Sequence, residues 1–281
     1  MQQRSRRRYP SLVLATGALL ATALLVPSSG MGATPLPNSM ASTGDSITRA
    51  YNTGFFPFTD NAAASWATGT TSSVNSQYLR LRARNAAING RNYNDARTGA
   101  VMANLDAQLT TVAGRHVDYV TILLGANDVC KSSVAAMTPV ATFRSQFNTA
   151  LARFTAASPN TLILVASVPN IYNLWSILKG NSSARSIWSL GKICQSMLAN
   201  PTSTAAADVS RRSQVQQRNI DYNTQLAQVC ATYAMCRFDN NAVYNTVFTP
   251  SDVNTRDYFH PSTSGQAKLA AVTWTAGYWA P

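Results

Sequence analysis

The chain has 281 residues, 46% of them hydrophobic, and a formal net charge of +12 at pH 7. At this length one domain with a large core is expected, and no second domain is required. A basic charge is compatible with nucleic acid or an anionic surface as a partner. The arginines are scattered, however, and no basic stripe interleaved with aromatic residues is present. A solvated basic surface is therefore the preferred interpretation, and no nucleic-acid partner is expected.

The first 33 residues have the pattern of a secretory signal peptide. An apolar stretch from Ser11 to Val26 is followed by small residues, which predicts cleavage between Ser28 and Thr34. A membrane anchor is the alternative, but the stretch ends at Pro27 and is shorter than the ~20 residues of a spanning helix. Twin-arginine export remains open as the route. The basic residues before the apolar stretch are Arg4, Arg6, Arg7 and Arg8.

We therefore expect a secreted, extracellular protein without a stable membrane anchor, in which residues 34–281 form a single domain. The leader holds four arginines and no acidic residue, so its removal lowers the net charge from +12 to +8. An even number of cysteines in an exported chain is typical of disulfides, here two. Three pairings are possible, of which Cys230 with Cys236 would close a short loop and Cys130 with Cys194 a long one. The lack of a Cys-x-x-Cys pair argues against a zinc site.

Short apolar segments alternate with helical patterns, which is typical of strand-helix-strand units around a parallel sheet. The predicted fold class is therefore α/β with a central parallel sheet. Strands are predicted at residues 39–43, 85–88, 117–124, 162–168 and 236–238. Helices are predicted from apolar spacing at residues 101–112, 140–156, 215–233 and from 262 or 263 to about 279.

Two stretches exceed what a minimal sheet-and-helix sandwich needs, residues 55–71 and residues 171–201. Insertions of this kind usually lie on the face where the ligand binds. Their aromatic residues are interpreted in two ways, as an exposed surface for lipid or as side chains that pack the insertion onto the core.

A serine and a histidine far apart in the chain offer nucleophilic chemistry. Ser46 follows the first predicted strand, at the edge of a parallel sheet where ligands meet the carboxyl ends of strands. His260 is one of only two histidines and follows Asp257 by three residues, so the carboxylate is able to orient the imidazole. The other histidine, His116, precedes the strand at 117–124 and is expected to be structural.

Donors for an oxyanion are expected at the ends of two further strands. Asn127 follows the strand at 117–124 and carries a side-chain amide that is able to donate a hydrogen bond to a developing negative charge. Gly90 follows the strand predicted at 85–88, and its backbone N–H is the other candidate. Each residue also has an ordinary explanation, a turn at Gly90 and a helix cap at Asn127.

Together the segments around Ser46, Gly90, Asn127 and His260 resemble the four sequence blocks of the GDSL-type esterases and lipases, also called SGNH hydrolases. The resemblance extends from Gly44 to the final helix. The resemblance implies a flavodoxin-like three-layer α/β/α sandwich and no metal or other cofactor. It also implies that Ser46 is the nucleophile, that its own N–H joins those of Gly90 and Asn127 in the oxyanion hole, and that His260 is the base oriented by Asp257.

Shorter strings indicate the substrate class. The segments Ser65 to Gly69, Asn127 to Cys130 and Phe259 to Ser262 look similar to the phospholipase B branch of this family. We therefore expect a small-molecule or lipid ester as substrate and a monomeric enzyme that works through an acyl-serine intermediate. The alternatives are a carbohydrate esterase that removes acetyl groups and a non-catalytic secreted protein that binds lipid or glycan. The lack of a Gly-x-Ser-x-Gly motif argues against the α/β-hydrolase route to the same chemistry.

Overall fold

The computed structural model describes Met1 and residues 34–280. The predicted signal peptide and its cleavage site lie almost wholly outside the described residues, so both stay predictions. Within residues 34–280, no helix is long and apolar enough to cross a bilayer.

Five parallel strands form one sheet in the order β2-β1-β3-β4-β5, which confirms the predicted α/β class. Their bounds are β1 Met40–Gly44, β2 Asn92–Asn94, β3 Tyr119–Leu123, β4 Leu162–Val165 and β5 Cys236–Phe238. In the central pair, Gly44 at the end of β1 is in register with Leu123 at the end of β3. Residues that follow these two strands therefore emerge side by side at the carboxyl edge of the sheet.

Helices cover both faces of the sheet. Their bounds are α1 Gln77–Arg84, α2 Leu105–Ala113, α3 Ala126–Val129, α4 Val140–Ala157, α5 Ile171–Leu178, α6 Ser182–Leu190, α7 Gln195–Leu198, α8 Ala206–Cys230, α9 Ala242–Asn245 and α10 Thr263–Ala276. The helices predicted at 101–112 and 140–156 correspond to α2 and α4. The long helix α8 starts nine residues before the predicted 215 because its first turns lack an apolar repeat.

Strand residues alternate between two buried clusters, one on each face of the sheet. Met40 and Tyr119 point into the cluster that includes Trp274 of α10. Ala41 and Val120 point to the opposite face, where α2, α4 and α8 contribute the larger cluster. Burying a side chain such as Phe147 in this cluster stabilises the fold by roughly 1.5–3 kcal/mol. The result is the three-layer α/β/α sandwich that the resemblance implied.

The strand predicted at residues 85–88 is wrong, because residues Ala86–Ile88 form a 3-10 turn and β2 begins only at Asn92. Strand β2 lies at the edge of the sheet and is half-buried, so it carries no apolar alternation that sequence reasoning can detect. The asparagine side chains of β2 bond to neighbouring loops: Asn92 Nδ2 donates to the carbonyl of Thr68, and Asn94 Nδ2 donates to that of Thr48.

Of the three possible cysteine pairings, the structure contains Cys130–Cys194 and Cys230–Cys236. The first disulfide fastens the segment after α3 to the insertion at 171–201. Within that insertion Trp175 and Trp188 are buried, so its aromatic residues pack onto the core. The insertion at 55–71 is different, because its phenylalanine side chains are exposed.

Candidate active site

The turn that carries Ser46 depends on a glycine at the end of β1. Gly44 has φ +145°, a conformation that residues with a side chain rarely adopt, and a Cβ there would lie 2.4 Å from the carbonyl oxygen of Leu123. The Gly44 N–H and carbonyl also bond to the side-chain amide of Gln108. The chain is thereby held close to β3, and Ser46 follows at the carboxyl edge of the sheet.

Ser46, His260 and Asp257 form a continuous hydrogen-bonded chain. The Ser46 Oγ lies 2.8 Å from His260 Nε2, and His260 Nδ1 lies 2.8 Å from Asp257 Oδ2. Ser46 and His260 are 214 positions apart, and the segment before α10 brings His260 back to the end of β1. A hydroxyl bonded to an imidazole that is itself bonded to a carboxylate is the arrangement that activates serine as a nucleophile.

Asp257 is held as an oriented anion. Its Oδ1 accepts hydrogen bonds from the backbone N–H groups of Phe259 and His260, at 2.8 and 3.0 Å, and its Oδ2 accepts one from the side-chain amide of Asn52. Burial would raise the pKa of Asp257, but its bonds to His260 and the backbone outweigh burial and lower it. The carboxylate therefore stays ionised and fixes the tautomer of His260.

Asn127 lies in α3, directly after β3. The turn before it needs Gly125, which has φ +133° and would bring a Cβ to 2.6 Å from the Val168 side chain. The Asn127 Nδ2 donates to the carbonyl of Ala100 at 3.0 Å, which leaves its second N–H for another acceptor. Because Asn127 lines the same cavity as Ser46 and His260, the structure brings these three predicted residues together.

Gly90 is not brought to the site. It precedes Asn92, which is in register with Met40 at the start of β1, so Gly90 lies at the opposite edge of the sheet from Ser46. Its N–H donates to the hydroxyl of Tyr78 at 3.0 Å. The expectation that Gly90 is an oxyanion donor rested on the wrong strand at 85–88 and is corrected here.

Gly99 follows the end of β2, at the carboxyl edge of the sheet where Gly90 was expected to lie. It has φ +81° in the turn that follows β2, closed by the hydrogen bond from Ala100 N–H to the Arg97 carbonyl. Arg97 N–H donates to the carbonyl of Gly44, and the Ala100 carbonyl accepts from Asn127. Gly99 therefore lies in a segment bonded both to the turn before Ser46 and to Asn127. The only sequence signal for Gly99 was a glycine that follows a strand, and it could be used only once the strand at Asn92–Asn94 was located.

Asp45 is a buried carboxyl directly before Ser46. Its Oδ1 accepts the N–H of Ile47 at 2.9 Å, while its Oδ2 is buried and has no hydrogen-bond partner among the described residues. Burial raises the pKa of Asp45 to about 7, with nearby Asp128 adding to the rise and His260 and the Ile47 N–H opposing it. Sequence reasoning assigned no role to this residue.

An apolar cavity opens beside the Ser46 hydroxyl. It is a cleft open to solvent, and it lies between α5, the segment around Phe248 and the start of α10. Its apolar walls are formed by Ile47, Ala126, Pro169, Ile171, Leu174, Phe248, Val253, Phe259 and Leu269. A lining of this composition favours a hydrocarbon group over a polar one.

His116 lies outside this constellation. It is exposed and precedes Val117 and β3, at the edge of the sheet opposite Ser46. Within residues 34–280 no three His, Cys, Asp or Glu side chains cluster in the way that metal ligands do.

Comparison with known proteins agrees with this geometry. Residues 42–272 match the model of the GDSL-like lipase/acylhydrolase family. Two solved structures are similar in fold. LAE5, an alpha/beta hydrolase enzyme from the metagenome of Lake Arreo, is 16% identical, with a TM-score of 0.53 over 85% of this chain and 94% of its own. The extracellular lipase from Streptomyces rimosus is 17% identical, with a TM-score of 0.52 over 85% of this chain and 99% of its own. No curated protein sequence matches the chain significantly, and these matches do not single out the phospholipase B branch.

Proposed function

The chain belongs to the GDSL-like lipase/acylhydrolase family and is a carboxylic ester hydrolase, and on that premise we propose that it cleaves lipid or other acyl esters through an acyl intermediate on Ser46. The observation that carries this proposal is the chain of two 2.8 Å hydrogen bonds from Ser46 through His260 to Asp257. The mature enzyme is proposed to act outside the cell, which the leader sequence and the two disulfides support.

The proposed reaction has two halves. His260 Nε2 takes the proton of the Ser46 hydroxyl as the oxygen attacks the ester carbonyl, and Asp257 stabilises the imidazolium that forms. The N–H groups of Ser46 and Gly99 and the amide of Asn127 donate to the oxyanion. His260 then protonates the leaving alcohol, which departs and leaves the acyl-serine. In the second half His260 removes a proton from water as the oxygen attacks the acyl carbon; the bond from that carbon to Ser46 Oγ then breaks, His260 returns the proton to Oγ, and the carboxylic acid is released.

The apolar cavity supports an acyl chain longer than acetyl. Side chains such as Leu174, Phe248 and Leu269 contribute to binding only if a hydrocarbon group covers them, at about 25 cal/mol per Å² of apolar surface removed from water. An acetyl group is too short to do so. We therefore place lipid esters ahead of acetylated polysaccharide as the substrate.

Hydrolysis of a chromogenic ester series tests the proposal. The series runs from acetyl to long-chain acyl, with phospholipid and acetylated xylan assayed alongside. We expect turnover to rise with acyl length beyond acetyl and to fall by about 10⁴-fold or more in Ser46→Ala. A serine-directed phosphonate should label the native chain but not this variant. Turnover limited to acetyl esters would favour the carbohydrate esterase, and no turnover or labelling of a folded protein would favour a non-catalytic binding protein.

The two histidines give a matched control for the base. His260→Ala should abolish turnover, whereas His116→Ala, at an exposed position beyond the opposite edge of the sheet, should leave it within about twofold. Equal losses in the two variants would refute the assignment of His260.

A further inference from the structure

Three phenylalanine side chains project into solvent from one loop beside the active site. Phe55 is 88% exposed, and Phe56 and Phe58 are each 67% exposed. No other phenylalanine in residues 34–280 is exposed. We call residues 55–58, including the exposed Pro57, the phenylalanine loop. Exposed apolar surface concentrated in this way is typical of an interaction site.

Part of the backbone of this loop is already hydrogen-bonded within the protein. The guanidinium of Arg256 donates to four carbonyl oxygens at 2.7 to 3.1 Å, those of Asn52, Gly54, Phe55 and Phe56. The Phe56 carbonyl also accepts from the hydroxyl of Thr59. A backbone whose carbonyls have internal partners loses little when it leaves water, whereas free carbonyls would oppose the transfer.

Phe58 is held in a conformation that its own side chain disfavours. It has φ +58°, in the left-handed region that bulky residues avoid, and its N–H donates to Asn52 Oδ1 at 2.6 Å. Burial of the ring does not offset this strain, because the ring faces solvent. Strain of this kind persists where the displayed conformation has a use, and here it presents the ring outward.

The phenylalanine loop is bonded to the catalytic residues. The amide of Asn52 accepts from Phe58 through Oδ1 and donates through Nδ2 to the carboxylate of Asp257. Arg256, which holds the loop carbonyls, directly precedes Asp257. The ring of Tyr51, four residues before the loop, lies 4.9 Å from the ring of His260. Whatever binds the three rings is therefore held close to the residues that orient His260.

From these observations we propose that the phenylalanine loop is an interfacial anchor, which inserts its three rings into the surface of aggregated lipid and sets the active site against that surface. Aromatic rings embed at the boundary between headgroups and acyl chains. No carboxylate in residues 34–280 pairs with Arg256, so its positive charge beneath the loop favours an anionic surface. Binding of the surface is independent of turnover, whereas its use for substrate delivery rests on the proposed function.

A lipid surface fits these features better than a protein partner. A protein interface typically supplies donors for loop carbonyls, whereas here Arg256 already occupies the carbonyls of Phe55 and Phe56. Three exposed rings on a loop whose Phe55 and Phe56 carbonyls have internal partners match the requirements of insertion into lipid.

Vesicle binding by a catalytically silent protein tests the anchor without turnover. Ser46→Ala protein would be sedimented with sucrose-loaded vesicles of equal phosphatidylcholine and phosphatidylglycerol. The test variant adds Phe55→Ser, Phe56→Ser and Phe58→Asn, the last because asparagine tolerates the left-handed conformation. We expect the partition constant to fall by about 1000-fold, since each of the three inserted rings contributes about a tenfold factor. Circular dichroism and thermal unfolding would verify that the variant is folded.

A matched control removes three exposed apolar side chains elsewhere. Leu190→Ser, Val209→Ser and Ile220→Ser, on α6 and α8, should leave the partition constant within about twofold. Equal binding by the phenylalanine variant and its parent would overturn the proposal, as would no binding by the parent. Light scattering that finds the parent dimeric and the phenylalanine variant monomeric would overturn it in favour of an interface between two copies. Loss of ester turnover with vesicle binding intact would refute the proposed function and leave the anchor standing.

Discussion

At the scale of single residues, Asp45 links the stability of the fold to pH. The carboxyl is fully buried beside the nucleophile, and burial raises its pKa from 3.8 to about 7. Between these two values the folded chain holds a proton that the unfolded chain has released. The stabilisation that results is fully present below about pH 4 and is lost as the pH rises through about 7.

The variant Asp45→Asn isolates this effect, because its amide oxygen still accepts the Ile47 N–H while the side chain no longer ionises. Relative to this variant, the native chain should lose roughly 2–3 kcal/mol of unfolding free energy between pH 5 and pH 8. Urea unfolding of both proteins at the two pH values measures the difference. Parallel changes in the two proteins would show that Asp45 does not change its protonation state over this range.

Residue-scale prediction from sequence succeeded where the motif is local. Asp257 and His260 are three positions apart, so their contact follows from the chain itself. Ser46 was predicted from its place after a strand, at the carboxyl edge of a parallel sheet; the helix expected to begin there is instead a run of turns. Asn52 was missed because its bond to Asp257 joins residues 205 positions apart and no local pattern announces it.

At the scale of elements, the turn after β2 decides which glycine contributes to the site. Gly90 and Gly99 both have a positive φ, +75° and +81°, and at both positions a Cβ would meet nothing within 4 Å. Substitution by alanine should therefore cost similar folding free energy, about 1–2 kcal/mol, at either position. The two positions differ in the edge of the sheet that they occupy.

Gly99→Ala should lower turnover by about tenfold or more, because relief of the strained φ moves the N–H that we propose donates to the oxyanion. Gly90→Ala should leave turnover within about twofold, since its N–H bonds to Tyr78 away from Ser46. Steady-state kinetics on a soluble ester, with thermal unfolding of both variants, separates the two effects. A larger loss at Gly90 would restore the original expectation and remove Gly99 from the mechanism.

The success of strand prediction from sequence depends on how deeply the strand is buried. Strand β3 is wholly buried, reads Tyr-Val-Thr-Ile-Leu and was located to within a few residues, because buried strands of this kind have largely apolar sequences. Strand β2 reads Asn-Tyr-Asn and is an edge strand whose side chains bond to neighbouring loops. Its identity depends on tertiary hydrogen bonds, which the local sequence does not encode.

At the scale of the whole molecule, the disulfides differ in how much chain they constrain. An even count of cysteines predicted two bonds, but the count alone left three pairings, and only the fold brings Cys130 to Cys194. That bond joins residues 64 positions apart, whereas Cys230 and Cys236 are separated by 6. Cross-linking a longer loop removes more entropy from the unfolded chain.

Replacing Cys130 and Cys194 with alanine should therefore cost about 4 kcal/mol of unfolding free energy, and replacing Cys230 and Cys236 about 2 kcal/mol. Urea unfolding of the two double variants measures both losses, after mass spectrometry has verified that the native protein contains no free thiol.

The first variant should also lose turnover, because Cys130 ends the short helix that carries Asn127 and its disulfide fixes that helix to the insertion. In the second variant turnover should be kept, since Cys230 and Cys236 connect α8 to β5 on the far side of β4 from β1. If the short loop proved the more costly to open, strain or residual structure in the unfolded chain, and not loop entropy, would govern both bonds.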